Sequence, residues 1–444
     1  MPTNEDKGRN GMLLKNILFS GLLRVVGLFC SLAIVPLTID YLDEAVYGVW
    51  LTITNVLYWF SFFDVGLGNG MRNYLAASIS AGDYEKGRAY LTSTFAMLTL
   101  ISLALAVIVV PFILLVDVGT LLHTSVVSSV ELRNALLVAV VFTLVSFVVK
   151  NVGYVFVALQ KYAMNDLLVV GGNVLALVAI FALTHTATQG SLIYVVAAFV
   201  VMPVVVFVLA AIPIFSRYPQ LRPMPKAFDY SLVRPIVTKG VGFFVIQLTS
   251  CLVIFGSSNV IIMRLVGETA VTQYGIAYKY FHLIAMAYII VLAPMWNAYT
   301  DAYVKGNYEW IQKTFRRALM VWLLTFVGGA VMLAGSHIFY GLWIRDRVDI
   351  PFAVSAAVYA YISMYNLNNC VTYLLNGLNK IRVQVITSVV FTLIYLVAAH
   401  FFGVRFGVVG IVLSMAGAYA AMALIHLYQC NLLVHRRARG VWDK

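Results

Sequence analysis

Between residues 16 and 434 the chain runs repeatedly through apolar stretches long enough to cross a bilayer, punctuated by short polar clusters. A hydrocarbon core asks roughly 20 apolar residues of a helix. Inside it every backbone N–H and C=O must be bonded within its own segment or barrel. Runs of this length leave one fold class, an all-α integral membrane protein. Twelve spans are read: 16–39, 46–64, 90–116, 134–158, 166–184 and 191–214 in the first half, then 240–264, 273–296, 317–340, 351–375, 383–402 and 407–433. Charged residues are 11% of the chain, against about 25% in soluble domains. The polar start MPTNEDKGRNGMLLKN shows no cleavage site after a short apolar run, so no signal peptide is expected. Cys30, Cys251, Cys370 and Cys430 all fall in apolar runs without paired loop spacing, so neither a disulfide framework nor a metal site is expected.

Basic residues in loops mark the cytoplasmic side. An even span count puts both termini together, and 22 of the 30 Lys and Arg residues fall on that side. The opposite side holds Arg133, Arg345, Arg347 and Arg405. Both termini are therefore expected in the cytoplasm. The net charge of +12 follows from this topology and from contact with anionic lipid headgroups, with no nucleic-acid partner implied.

Two polar stretches resemble each other: GNGMRNYLAASISAGDYEKG at 68–87 and WNAYTDAYVKGNYEWIQK at 296–313. At an offset of 224, Asn73, Gly82, Tyr84 and Glu85 match Asn297, Gly306, Tyr308 and Glu309. DEAVYG (43–48) resembles GETAVTQYG (267–275), and LQKYAM (159–164) resembles LNKIRV (378–383). Six spans separate the members of each pair. The chain thus reads as two six-helix bundles, 1–225 and 226–444, joined by a linker with Pro219, Pro223, Pro225 and Pro235. Parallel duplication of this kind relates the halves by a pseudo-two-fold axis along the membrane normal. The paired stretches are expected to form short amphipathic helices or turns at the cytoplasmic surface.

The span pattern, YLDEAVYGVW (41–50) and FFDVGLGNGMRNYLAASISAGDYEKG (62–87) resemble the polysaccharide flippases of the multidrug/oligosaccharidyl-lipid/polysaccharide (MOP) exporter superfamily, and more narrowly the bacterial O-antigen (Wzx-type) branch. The likeness is sharpest over residues 36–95, and Asp64 to Arg72 is its most specific run. The resemblance implies a MATE/MOP-like fold in the bacterial inner membrane. It implies transfer of an undecaprenyl-pyrophosphate-linked oligosaccharide from the cytoplasmic to the periplasmic leaflet by alternating access. Partners would be the lipid-linked oligosaccharide, membrane lipids and other polysaccharide assembly proteins. A MATE-type multidrug or metabolite exporter and a peptidoglycan lipid-precursor flippase are the alternatives. No nucleotide loop or nucleophile–base arrangement is present, so an enzyme is not expected, and no cofactor beyond a coupling H+ or Na+ gradient.

Ionisable residues inside spans usually face a cavity or a partner. Arg24 lies about 12 Å below the cytoplasmic edge of the first span at 1.5 Å per residue. Lys150 sits at similar depth in the fourth span. Lys279 and His282 lie in the eighth. These four form the expected substrate-binding, cationic cavity, suited to a pyrophosphate. Arg264 ends the seventh span and is read as snorkelling to headgroups. Asp64, followed by Gly66, Gly68 and Gly70, is expected to form a gating or structural ion pair with Arg72. Pro36 and Pro294 mark expected hinges.

Reporter fusions test this topology. Tags after Lys444 and within 216–235 should report cytoplasmic, and a tag within 117–133 periplasmic. A periplasmic signal from the 216–235 fusion would break the six-plus-six arrangement.

Overall fold

The computed structural model describes residues 4–60, 67–159, 161–186, 190–232, 253–345, 347–378 and 380–443. Regular structure among them is helical, and the chain divides into two compact units, Met1–Val245 and Ile246–Lys444. The first unit holds α1 (Asn4–Leu42), α2 (Glu44–Phe60), α3 (Leu67–Ser80), α4 (Tyr84–Leu115), α5 (Val118–Leu122), α6 (Ser129–Val149), α7 (Asn151–Ala158), α8 (Tyr162–Thr186) and α9 (Leu192–Arg217). The second holds α10 (Val253–Leu265), α11 (Glu268–Val304), α12 (Tyr308–Ala334), α13 (Ser336–Ile344), α14 (Phe352–Gly377) and α15 (Arg382–Val434).

Among the described residues, eight helices are long and apolar enough to cross a membrane. The twelve expected spans are compatible with this count. The spans expected at 46–64 and 240–264 run into 61–66 and 233–252, outside the described residues. The last two expected spans are both present and run on as one stretch, α15, divided by a non-helical turn at Gly407 (φ 59, ψ −142). Only glycine takes that conformation readily. Close by, Gly410 packs so tightly that a Cβ would strike the Phe402 carbonyl. The helix α14 is long enough, but Asn366, Asn368, Asn369 and four tyrosines lower its hydropathy.

Each unit repeats the same turns. α3 ends in a Schellman motif, with Asp83 N–H donating to Ser78 O at 2.9 Å and Gly82 N–H to Ile79 O at 3.1 Å. α11 ends identically, Asn307 N–H to Ala302 O at 2.9 Å and Gly306 N–H to Tyr303 O at 3.0 Å. Gly82 and Gly306 take φ of 74° and 70°. The next residue caps the next helix: Asp83 accepts from Lys86 N–H, and Asn307 from Trp310 N–H. Every partner is shifted by 224. The expected surface helices are thus two helix ends joined by a three-residue turn. The α1–α2 and α10–α11 corners also match, each around a positive-φ residue, Asp43 and Gly267. So do the α5 and α13 ends, at His123 and Arg345.

Packing repeats as well. α4 lies on α6 as α12 lies on α14, α1 on α8 as α10 on α15, and α3 on α7 as α11 on α14. Within lipid the hydrophobic effect does not join helices, and side-chain hydrogen bonds help. Ser102 on α4 donates to Leu144 O on α6 at 3.1 Å. In the other unit Tyr359 on α14 donates to Phe326 O on α12 at 2.9 Å, and Trp322 Nε1 on α12 to Ser363 O on α14 at 3.0 Å.

The linker's start belongs to the first unit. Arg88 Nε donates to Gln220 O at 2.7 Å, Met224 N–H to Thr92 Oγ1 at 3.2 Å and Asp229 N–H to Ser93 Oγ at 2.8 Å. The division therefore falls past the expected boundary at 225. The C-terminal turn does the same in the second unit. Arg436 donates to Gly306 O at 3.2 Å, and Lys380 pairs with Asp443 at 3.0 Å. That hydrogen-bonded pairing with Asp443 holds the Lys380 ammonium above its usual range.

Gly82 and Gly306 have open space where a Cβ would go. Alanine there should cost only the left-handed backbone term, about 1 kcal/mol each. Asparagine should cost less. Thermal unfolding in detergent checks this, and unequal losses at the two positions would separate the turns.

Candidate functional site

Lys150 does not sit inside a continuous helix. It is the joint between α6 and α7, with no side-chain cap, and Gly153 N–H bonds Lys150 O at 3.0 Å. Its side chain is half-buried, with Nζ 5.0 Å from the centre of the Phe147 ring. Next to it Asn151 is buried. Its amide nitrogen bonds Phe147 O at 2.5 Å, while Oδ1 meets no donor among the described residues. The facing helix is α3, and the contact point is Gly68. A Cβ there would run into the Tyr154 ring and Asn151 Oδ1. One glycine of the Asp64–Arg72 run thus lets α3 close onto the polar joint at Lys150.

Arg72 is half-buried, one helical turn along α3 from Gly68. Asp64, its expected partner, lies outside the described residues. Arg24 lies in α1 and Pro294 in α11, but their side chains are outside the described set. Pro36 lies inside α1. Arg264 is exposed in the last turn of α10.

In the second unit, Lys279 and His282 share α11 with an aromatic ladder. Tyr274 and Tyr278 lie 5.9 Å apart, and Tyr278 stacks on His282 at 5.0 Å. Spacing of four residues sets all three on one face. That face continues onto α14, where Tyr361 lies 6.3 Å from Tyr278. Lys279 is half-buried one residue off the ladder. Lys150 and Arg72 therefore belong to one unit, Lys279 and His282 to the other.

Sequence reasoning overlooked Asn151 and the buried polar residues of α14 and α15, among them Asn366, Asn368, Thr387 and His426. The signal was available: NLNN at 366–369 interrupts an apolar run, and polar groups within spans are expensive.

Known proteins can be compared with this geometry. A Salmonella typhi protein named "Putative O-antigen transporter" is 22% identical over 406 residues, covering 87% of this chain and 88% of the relative. A structure of a multidrug resistance MATE family transporter of the MOP superfamily, in its inward-facing conformation, superposes with a TM-score of 0.72 at 15% identity, covering 94% of this chain and 95% of that one. The lipid II flippase MurJ superposes with a TM-score of 0.67 at 14% identity, covering 94% and 87%. No protein-family model matches. The protein is thus a multi-pass membrane protein with the fold of MOP-superfamily transporters and flippases. Within that class its sequence is similar to proteins named as O-antigen transporters.

Gly68→Ala should lower thermal stability by about 1–3 kcal/mol, because added bulk must displace Tyr154 and Asn151. Gly328→Ala, with no atom within 4 Å of a new Cβ, should be neutral or stabilise by up to ~1 kcal/mol. Equal behaviour of the two variants would refute the close contact.

Proposed function

We propose that the protein carries an undecaprenyl-pyrophosphate-linked oligosaccharide, such as an O-antigen repeat unit, from the cytoplasmic to the periplasmic leaflet of the inner membrane by alternating access. The observation that carries this reading is the sign of the charge within the spans. Arg24 lies in α1, Lys150 at the α6–α7 joint and Lys279 in α11, each in an apolar helix. A pyrophosphate bears two or more negative charges, and moving it through hydrocarbon without counter-charge is prohibitive. Bases at intermediate depth would supply that counter-charge, and Arg adds a planar fork for phosphate oxygens. The likeness to named O-antigen transporters along nearly the whole chain agrees with this substrate class.

In the same reading His282, stacked beside Lys279, contributes to substrate binding. Asp64 and Arg72 form a gating or structural pair, and Pro36 and Pro294 serve as hinges. An H+ or Na+ gradient supplies the driving force, and other polysaccharide assembly proteins are partners. The competing reading is a multidrug exporter, favoured by the superposition on a MATE transporter. Such a protein would expel cationic dyes, and intramembrane bases would repel them.

The experiment is complementation of a strain lacking its own flippase, with surface polysaccharide measured and membrane abundance checked by blot. Lys150→Ala, Lys279→Ala and Arg24→Ala should each cut display several-fold at normal abundance. Arg24→Lys should retain more than Arg24→Ala. Arg264→Ala should be nearly silent. Full display in the triple alanine variant, or efflux of cationic dyes by the wild type, would overturn the proposal.

A further inference from the structure

One imidazole in the second unit is wholly out of solvent. His426 on α15 is 0% exposed. Both ring nitrogens reach across helices, Nδ1 to Asn368 Oδ1 on α14 at 3.0 Å and Nε2 to Thr387 Oγ1 on the first half of α15 at 2.8 Å. An amide oxygen has no hydrogen to give, so Nδ1–H is the donor in the first bond. The second bond can run either way. With Nε2 bare, the Thr387 hydroxyl donates to it. With Nε2 protonated, the ring donates to the hydroxyl. The hydroxyl then donates to Val383 O at 2.9 Å or Gln384 O at 3.1 Å. One set of heavy-atom positions thus satisfies imidazole and imidazolium, and only a hydroxyl hydrogen turns.

A path of polar groups leads from this ring toward the end of the unit that its basic residues assign to the cytoplasm. Gln384 and Gln429 lie one turn from Thr387 and His426. Each buries a side-chain oxygen with no donor among the described residues. An unpaired buried acceptor costs about 1–3 kcal/mol, so two of them beside a buried imidazole need a reason. Gln429 Nε2 continues to Lys380 O at 3.3 Å and Trp442 O at 3.1 Å, at the rim.

We propose that His426 takes up and releases the proton that drives transport, with Thr387 as the hydroxyl that switches and Asn368 as the group that holds the ring. This rests on the transporter reading above. An imidazole can gain and lose a proton here with its partners in place, because the bonds to Asn368 and Thr387 serve either form. The step is simple acid–base chemistry: Nε2 gains a proton from one side and yields it to the other. The other titratable groups on the packed elements do not take its place. Tyr359, Tyr361, Tyr365, Cys370 and Tyr373 on α14, and Tyr395, Tyr419, Tyr428 and Cys430 on α15, are phenols and thiols with ordinary values of about 8.5–10. His400, at the far end of the first half of α15, is exposed, and Arg382 and Arg405 stand at the two ends of that half. At the rim Lys380 is paired with Asp443, and His435 bonds Gln312 at 3.0 Å. Arg264 ends α10, and the charged residues of α12 (Glu309, Lys313, Arg316, Arg317) lie in its first turns.

The test uses the full-length protein in vesicles carrying a fluorescent short-chain polyprenyl-pyrophosphate glycolipid. Wild type should transfer the probe at least fivefold faster under an imposed pH gradient. His426→Gln should lose the response to the gradient. Asn368→Asp, placing a carboxylate beside the ring, should move the midpoint of the pH profile upward by a unit or more. A gradient response of wild-type size in His426→Gln, or an unmoved midpoint in Asn368→Asp, overturns the proposal. A second readout needs no substrate: ¹⁵N-imidazole NMR in nanodiscs, with the His426 signal assigned by its loss in His426→Gln. It should pass from one neutral tautomer to the doubly protonated ring across the pH range of the transfer assay. A signal fixed in one form overturns the proton site whatever the vesicles do. A titrating signal without glycolipid transfer supports the proton site and counts against the glycolipid as substrate.

Discussion

Backbone hydrogen bonding in a medium without water governs this structure. Lipid offers no partner to a loose N–H or C=O, so each helix end and each interruption must bond its own groups. The chain does so with a small set of devices. Positive-φ residues close the turns at Asp43, Gly82, His123, Gly267, Gly306 and Arg345. Side-chain oxygens cap the helices that follow Asp83 and Asn307. Tyr, Trp and Ser side chains bond carbonyls of neighbouring helices. Because the devices are local, duplication copies them intact. That is why the two halves keep the same turns while their sequences have drifted apart.

This explains what the sequence made legible. Asn/Asp and Gly at a tight turn are fixed by dihedral angles, so Gly82 with Asp83 and Gly306 with Asn307 stand out at an offset of 224. Spans announce themselves through hydropathy, and the helical membrane fold followed. Interruptions within spans were harder to see. Nothing in FVVKNVGY marks a break between α6 and α7, since Lys150 keeps a nearly helical φ of −59° and ψ of −21°. At 403–406, read as a loop, the backbone stays helical as far as Gly407, and the chain turns there between the two expected spans. There one glycine absorbs the change of direction without releasing the chain.

The candidate site was half legible for a similar reason. A charge inside an apolar run is visible at once, so Lys150 and Lys279 were singled out. Neutral polar groups in the same runs carry a weaker signal, and Asn151, Asn368 and His426 escaped. Asn368 and His426 pair across helices that are distant in sequence. His426 and Asn368 lie 58 positions apart, and no local pattern joins them.

Lys150 and the asparagines of α14 fall on the same span of the repeat. Aligning Lys161 with Lys380 through their matching turns sets α6 and α7 against α14. Each lysine N–H closes onto a carbonyl five residues back, Phe156 and Leu375. That register lays Lys150 over Asn369 and Phe147 over Asn366. The matching position in the fourth span is thus a base in one unit and an amide in the other. A base suits an anion that must shed its hydration in the bilayer. An amide such as Asn369 offers donor and acceptor together, and its neighbour Asn368 holds the ring of His426. A change of polarity at this one depth distinguishes the two units without altering the turns that hold the helices.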